Sequence, residues 1–401
     1  MVPLLKNVSV LEIGAVVMGP FAGQILADLG AKVIKIETIE GDIARVSHPQ
    51  GAGMGALFVN NNRNKRTISI DLKDPRGKAI LHRLMARNDV LLHNMRTDAA
   101  KRLGVDFDSA KAHNPGIIHC SAIGFGQGGR YRDRPAFDDI IQAASGFAAF
   151  TGGEPHFVPT IVADKIAALY TVYGILAALV ARRSGTEQAI QIEVPMFEAL
   201  ASFILNEHLA SATFEDQGAV GYPRLQSAHR RPHRTRDGWI AALPYTGRQW
   251  QRFLAEVGKD AICAEPWFRD ETARQSRIDD LYAILSDALL ARTTAEWLET
   301  LSRLDIPCSQ VNRIEDLLTD PHLADLDFFR TPPGYPDAIK RMLPQPIRFD
   351  GLETERDLPA PSLGADSLSV LHDLGYAPGE IDALVDADIV YAPSRTEQDA
   401  A

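Results

Sequence analysis

Short β-rich runs separated by helical stretches fill the first 120 residues, and this alternation constrains the chain more than its composition does. Residues 8–13, 32–37, 67–71, 89–93 and 116–121 are apolar runs rich in Val, Ile and Leu, whereas 20–29 and 75–87 carry helical spacing. Pro20 opens the first helix and Gly30 closes it. Strand, helix, strand at this cadence requires crossover connections, which place parallel strands in one sheet with helices on both faces. The expected fold class is α/β and doubly wound. Beyond 138 the chain turns mostly helical to 183, with a strand at 189–194 and a helix at 196–209. The longest apolar stretch, 166–181, has 16 residues where a membrane span needs about 20, so it predicts a buried core helix.

At 401 residues the chain exceeds one typical core of about 150, and its composition shifts in the second half. Gly, Pro and a basic cluster predict a linker over 216–237. Aromatic-rich helices bearing Trp250, Phe253, Trp267 and Trp297 predict a small domain over 238–320. A Pro-rich return linker over 321–346 leads back, so that a large domain over 1–215 is rejoined by 335–401. The formal charge is −10, which argues against a nucleic-acid or membrane-surface binder and obliges any anionic ligand to find local Arg and Lys. Three cysteines stand far apart without metal spacing, so neither a zinc site nor a disulfide framework is expected. With no signal-like start, the expected location is cytoplasmic.

Three loops attract attention. Gly14 to Gly23 fits neither G-x-G-x-x-G nor a P-loop, yet it ends a strand, carries glycine and starts a helix whose N–H groups can face a ligand. Asn60 to Arg66 is rich in Asn, Lys and Arg, and so is Asn94-Met95-Arg96 with Lys101, Arg102 and Gly104. Each reads either as a solvated polar turn or, at the carboxyl end of a parallel strand, as part of a phosphate-binding edge. Asp164 stands where a β-like run meets the long apolar helix. It reads as a plain N-cap, or as an ionised carboxylate whose neighbouring N–H groups steady an oxyanion.

The ordered motifs resemble the family III CoA-transferases, which include formyl-CoA transferase, carnitine CoA-transferase and α-methylacyl-CoA racemase. They are Val10-Leu-Glu-Ile, the run 19–37, Gly41-Asp42-x-x-Arg45, the run 62–73, Asn94-x-Arg96, Arg102-Leu103-Gly104, Gln142-Ala-x-Ser-Gly146, the run 175–185 and the closing run 364–376. The resemblance spans about residues 4–390. It implies a large Rossmann-like doubly wound domain plus a smaller second domain, in an interlocked homodimer. It implies that Asp164 is the catalytic nucleophile. It places CoA against Met18, Lys73, Asn94, Met95 and Arg102 and the backbone of Ile70, Asp71 and Leu72, with Ala136, Phe137 and Asp138 beside the acyl end. The partners implied are an acyl-CoA and a carboxylic acid. Coenzyme A is a substrate, and no permanently bound cofactor or metal is expected. CoA would move between acids through an aspartyl mixed anhydride and an aspartyl-CoA thioester, in a cleft between the domains that excludes water.

Departures from the family pattern limit the reading. Thr38 stands where formyl-CoA transferase has an arginine, leaving Arg45 as a candidate substitute. Met95 replaces a common Phe, and the glycine-rich flap has no counterpart. In its place Arg230, Arg231, His233 and Arg234 either attract the acid substrate or form a solvated basic linker. A 2-methylacyl-CoA racemase needs a histidine base where Phe137 stands. A non-catalytic acyl-CoA-binding protein is the alternative outside enzymes.

Overall fold

Seven strands form one sheet: β1 (Ser9–Ile13), β2 (Lys32–Glu37), β3 (Lys65–Ile70), β4 (Val90–His93), β5 (Ile118–Ile123), β6 (Ile190–Pro195) and β7 (Val390–Tyr391). Their order is β7-β3-β2-β1-β4-β5-β6. Every neighbouring pair is parallel except β7, which runs antiparallel along the β3 edge. The computed structural model describes residues 4–150, 152–329, 331, 334–350 and 357–393.

Alternation along each strand supplies two cores. Val10, Val33, Val90, Leu92 and Ile118 pack with α1 (Met18–Asp28) and α2 (Val162–Arg183) on one face. Leu11, Ile36, Ile68, Ile70 and Leu91 pack on the other with the helix Pro75–Arg87 and with Val370, Leu371 and Ile381. Burial on both faces is why these strands read as continuous apolar runs.

Two helices differ from expectation. α1 begins at Met18, two residues before Pro20, whose missing N–H falls in the first turn, where no intrahelical partner exists. α2 is 22 residues long because it absorbs Asp164 and Lys165 at one end and Arg182 and Arg183 at the other. It is long and apolar enough to cross a membrane by length and composition, so the length argument against a span falls. Its Ala163, Ile166, Ala167, Ala168, Val172 and Ile175 are buried in the core.

The chain divides into one unit of Met1–Ile204 with Asp327–Ala401 and a second of Leu205–Leu326. The second has its own three-stranded antiparallel sheet, ordered Cys308–Gln310, Trp239–Ala242, His233–Arg234. Trp250, Phe253, Tyr282 and Trp297 fill its core. Thr246 with Gln249 and Thr293 with Glu296 form capping boxes that start two of its helices. Where a linker was expected over 216–237, the chain carries the helical turn Pro223–Gln226 and the strand His233–Arg234. The return segment likewise opens with the helix Pro321–Asp325.

Candidate active site

The strand order reverses between β1 and β4: the chain winds outward from β1 through β2 and β3, then returns to β4 on the other side. Open sheets bind ligands outside the carboxyl ends of strands at such a point. A cavity of about 390 Å³ lies there. Its walls come from 15–18 after β1, 94–99 and Arg102 after β4, and 123–125 and Gln127 at the end of β5 and beyond, with 132–134, Ala136, Phe137, Asp164 and Met196 completing it.

The loop after β1 is built by its neighbours. Asn94 accepts the Ala15 N–H at 3.0 Å and donates to the Ala15 carbonyl at 2.9 Å. Lys35 donates to the Gly14 carbonyl at 2.6 Å, and the Asp42 carboxylate accepts the Val16 N–H at 3.2 Å. These contacts hold Val16 at φ +68, a left-handed conformation that costs a β-branched residue energy. Asn94 thus lines the cavity with both amide atoms already on the loop backbone.

Beneath that loop the sheet carries ions where apolar residues would otherwise stand. Parallel register sets Glu12 opposite Lys35, and Lys65 on the next strand reaches Glu12 at 2.7 Å. Lys35 also pairs with Asp42 at 3.0 Å. Burial, with the charge of nearby Lys35, brings the Lys65 ammonium down to about 8 against the pull of Glu12. Arg63 pairs with Asp28, which also accepts from Asn64 at 2.7 Å. Arg45 grips Glu37 with two donors at 2.8 and 2.7 Å and stacks on Phe58. The Asn60–Arg66 loop is therefore no phosphate edge, and Arg45 is no substitute for an arginine at position 38. The cations of Arg45, Arg63 and Lys65 are buried and paired inside the protein, and the partly exposed Arg66 pairs with Asp366 and Asp373.

Asp164 is the third residue of α2 and does not cap it. Ile161 holds the cap position and makes no side-chain bond to the helix. The cap is Asp138, whose carboxylate accepts the N–H of Ala163 at 2.6 Å and of Asp164 at 3.1 Å. Gln142 donates to the same carboxylate at 2.6 Å and accepts the Val158 N–H at 2.9 Å. The Val162 N–H goes to the Thr160 carbonyl at 2.9 Å. These N–H groups are engaged, so the expected steadying of an oxyanion by the start of α2 does not hold. Nor does Asp164 keep an ordinary acid strength: burial, then the Asp138 charge, pushes its carboxyl up to about 7. Among the described residues no side chain pairs with it.

The structure thus brings Met18, Asn94, Met95, Arg102, Ala136, Phe137 and Asp164 to one cavity. Asp138 is instead buried behind its wall, 8% exposed. Ile70 ends β3, two strands from β1, Asp71, Leu72 and Lys73 follow it, and none of the four lines the cavity. In the second unit His233 is no substrate cation. It is buried, its Nδ1 lies 2.7 Å from the Ser286 hydroxyl, and burial followed by the charges of Arg231 and His229 holds it below its usual range. Arg234 lies over Trp239, and Arg231 is exposed. Arg96 and Arg132 also line the cavity; the Asn94-x-Arg96 motif was the signal for the first, and nothing in the sequence singled out the second. Among the described residues no group of three or more His, Cys, Asp or Glu could hold a metal ion.

The family model of CoA-transferase family III matches residues 5–367. A succinate–glutarate CoA-transferase of Agrobacterium fabrum is 31% identical, over 93% of this chain and 96% of its own. An (R)-2-hydroxy-4-methylpentanoate CoA-transferase of Clostridioides difficile is 27% identical, over 96% and 99%. The crystal structure of a CaiB/BaiF family protein from Brucella suis superimposes with a TM-score of 0.78 at 27% identity, covering 92% of this chain and 99% of that one.

Proposed function

This chain belongs to CoA-transferase family III and is an enzyme acting on acyl-CoA and carboxylic acids, and from that premise we propose that Asp164 carries the transfer as a covalent nucleophile. The Asp164 carboxylate attacks the donor thioester carbonyl, and the C–S bond breaks to release CoA thiolate. The resulting mixed anhydride is attacked by the thiolate at the aspartyl carbonyl, which frees the donor acid and leaves an aspartyl-CoA thioester. The acceptor carboxylate attacks that thioester, and the expelled thiolate then takes the acceptor's acyl group from the second anhydride. Acyl-CoA leaves and the Asp164 carboxylate is restored. Splitting one hard exchange into four carbonyl attacks is the advantage of the covalent route.

The observation that carries this reading is a carboxyl on the wall of the switch-point cavity that has no side-chain partner among the described residues. Arg96, on the loop after β4, and Arg102, in the last turn of the helix Thr97–Leu103 that follows, are exposed and supply cations for the CoA phosphates. Exposed apolar side chains on α2, Leu169, Tyr173 and Val180, support a second copy covering that face, as the interlocked homodimer requires. Racemisation is disfavoured because Phe137, 73% exposed, stands at the second base position, and among the described residues no histidine lines the cavity.

Mass spectrometry after incubation with acyl-CoA tests the reading. An adduct on Asp164 supports it. Exchange of the α-proton with solvent deuterium and no adduct identifies a racemase; neither signal identifies a binding protein.

A further inference from the structure

We propose that Asp138 is the positioning residue that sets the reactivity of Asp164: it takes the N–H groups at the start of α2 for itself, and its charge favours the acylated, neutral form of Asp164. The inference rests on Asp164 being the nucleophile. A helix start is the natural place for an anion, because free N–H groups and the helix dipole both favour negative charge. Two carboxyls lie beside this one, and the donors serve only one of them. Ala163, Asp164 and Gln142 all direct N–H groups at Asp138. Asp164, which belongs to the helix, receives none among the described residues.

Other charges do not compensate it. On α2 itself, Lys165 is exposed and donates to the Thr160 hydroxyl. On the segment before Asp138, Arg132 pairs with Asp133 and Arg134 lies over the Tyr131 ring. Asp139 is exposed next to Asp138. From the segment after β4 come Arg96 and, on the helix Thr97–Leu103, Asp98 and Arg102. Among the described residues none of these forms an ion pair with Asp164, and the neighbour whose charge acts on it is Asp138.

The chemistry gains twice. A carboxylate denied hydrogen-bond donors is more basic, and a more basic oxygen attacks a thioester faster while still being substantially ionised near neutral pH. When Asp164 forms its ester-like bond, the negative charge departs with the CoA thiolate. The repulsion from Asp138 is then relieved, so the covalent intermediate is favoured over free carboxylate.

Asp138→Asn removes the charge and keeps one acceptor for the helix. The readout is adduct formation on Asp164 in a single turnover with acyl-CoA, followed against pH in the full-length protein. The wild type should lose adduct formation on acidification through about pH 7. The variant's acid limb should move down by about one unit or more, and its equilibrium adduct fraction at pH 8 should fall several-fold. Asp138→Glu, which keeps the charge, should restore the wild-type limb. An unshifted limb in Asp138→Asn, or a limb that Asp138→Glu does not restore, overturns the inference and leaves the nucleophile intact. No adduct in the wild type overturns the nucleophile itself. Should Asp138→Asn fail to fold, Asp138→Ser, which also removes the charge and keeps an acceptor for the helix, takes its place: a lowered acid limb supports the inference, and an unshifted one overturns it.

Discussion

The charges beneath the loop after β1 and the charges around the cavity are drawn from the same residue types, yet only the first set is paired throughout; around the cavity Arg132 with Asp133 is the one ion pair among the described residues. Glu12, Lys35 and Lys65 are fully or almost fully buried and satisfy one another, as do Glu37 with Arg45 and Asp28 with Arg63. Arg96, Arg102 and Asp164 line open space without an ion pair among the described residues. The lesson is that a cation in a loop motif is a ligand candidate only after its internal partners have been counted. Buried pairs of this kind are costly to break once formed, and here they fix the backbone that frames the cavity. Substitutions should therefore separate the two sets: stability fails in one, chemistry in the other.

Asp164→Asn should give the largest effect. Transfer should fall by about 10⁴-fold or more, since an amide cannot form the anhydride. Stability should move the opposite way. The folded protein holds the Asp164 proton up to about pH 7, whereas the unfolded chain releases it near 3.8. That contribution is fully present below the unfolded value and is lost as pH rises through 7. Melting of the variant should therefore exceed wild type by about 2–6 °C at pH 8 and match it near pH 4. Unchanged activity, or a lower melting temperature at pH 8, would place Asp164 with the paired, structural ions.

Glu12→Gln is the counterpart beneath the loop. It leaves Lys35 and Lys65 buried without their shared carboxylate, at a cost of about 3–5 kcal/mol in urea unfolding. Adduct formed per folded molecule should stay near wild type. Glu37 tests the same set through pH with the opposite sign. Burial raises its acid strength threshold, but the Arg45 guanidinium outweighs burial and brings the carboxyl down to about 2. Its contribution is present above the unfolded value of 4.5 and lost as pH falls through 2, amounting to about 3 kcal/mol. Glu37→Gln should flatten acid unfolding over that window, and a variant with the wild-type acid slope would remove Glu37 from the stabilising set.

The same contrast explains what was legible in the sequence. The strands were, because burial on both sheet faces makes each a run of apolar residues. β7 was not: two residues carry no periodicity. Arg45 and Lys65 looked like ligands because their partners, Glu37 and Glu12, lie on strands whose register no local pattern states. Asp164 could be placed at a helix start, but the residue that caps that helix lies 26 positions earlier, and only folding brings the two together. His233 read as a cation because its burial depends on a strand too short to recognise.

The smallest effects concern two exposed cations that the sequence ranked together. Arg102 lines the cavity and Lys73 does not. Each lies at the surface, so neither Arg102→Ala nor Lys73→Ala should shift melting appreciably. Arg102→Ala removes a charge-assisted contact to a CoA phosphate and should weaken CoA binding by about 10- to 100-fold, an effect that shrinks as salt rises. Lys73→Ala acts on the bound anion only through solvent and should weaken binding by less than about 5-fold. The apparent affinity for the acid substrate should hold in both. Calorimetric titration of CoA into each variant decides the order. Equal losses for the two would show that CoA extends from the cavity to the end of β3, and the cavity would no longer mark the boundary between ligand cations and bystanders.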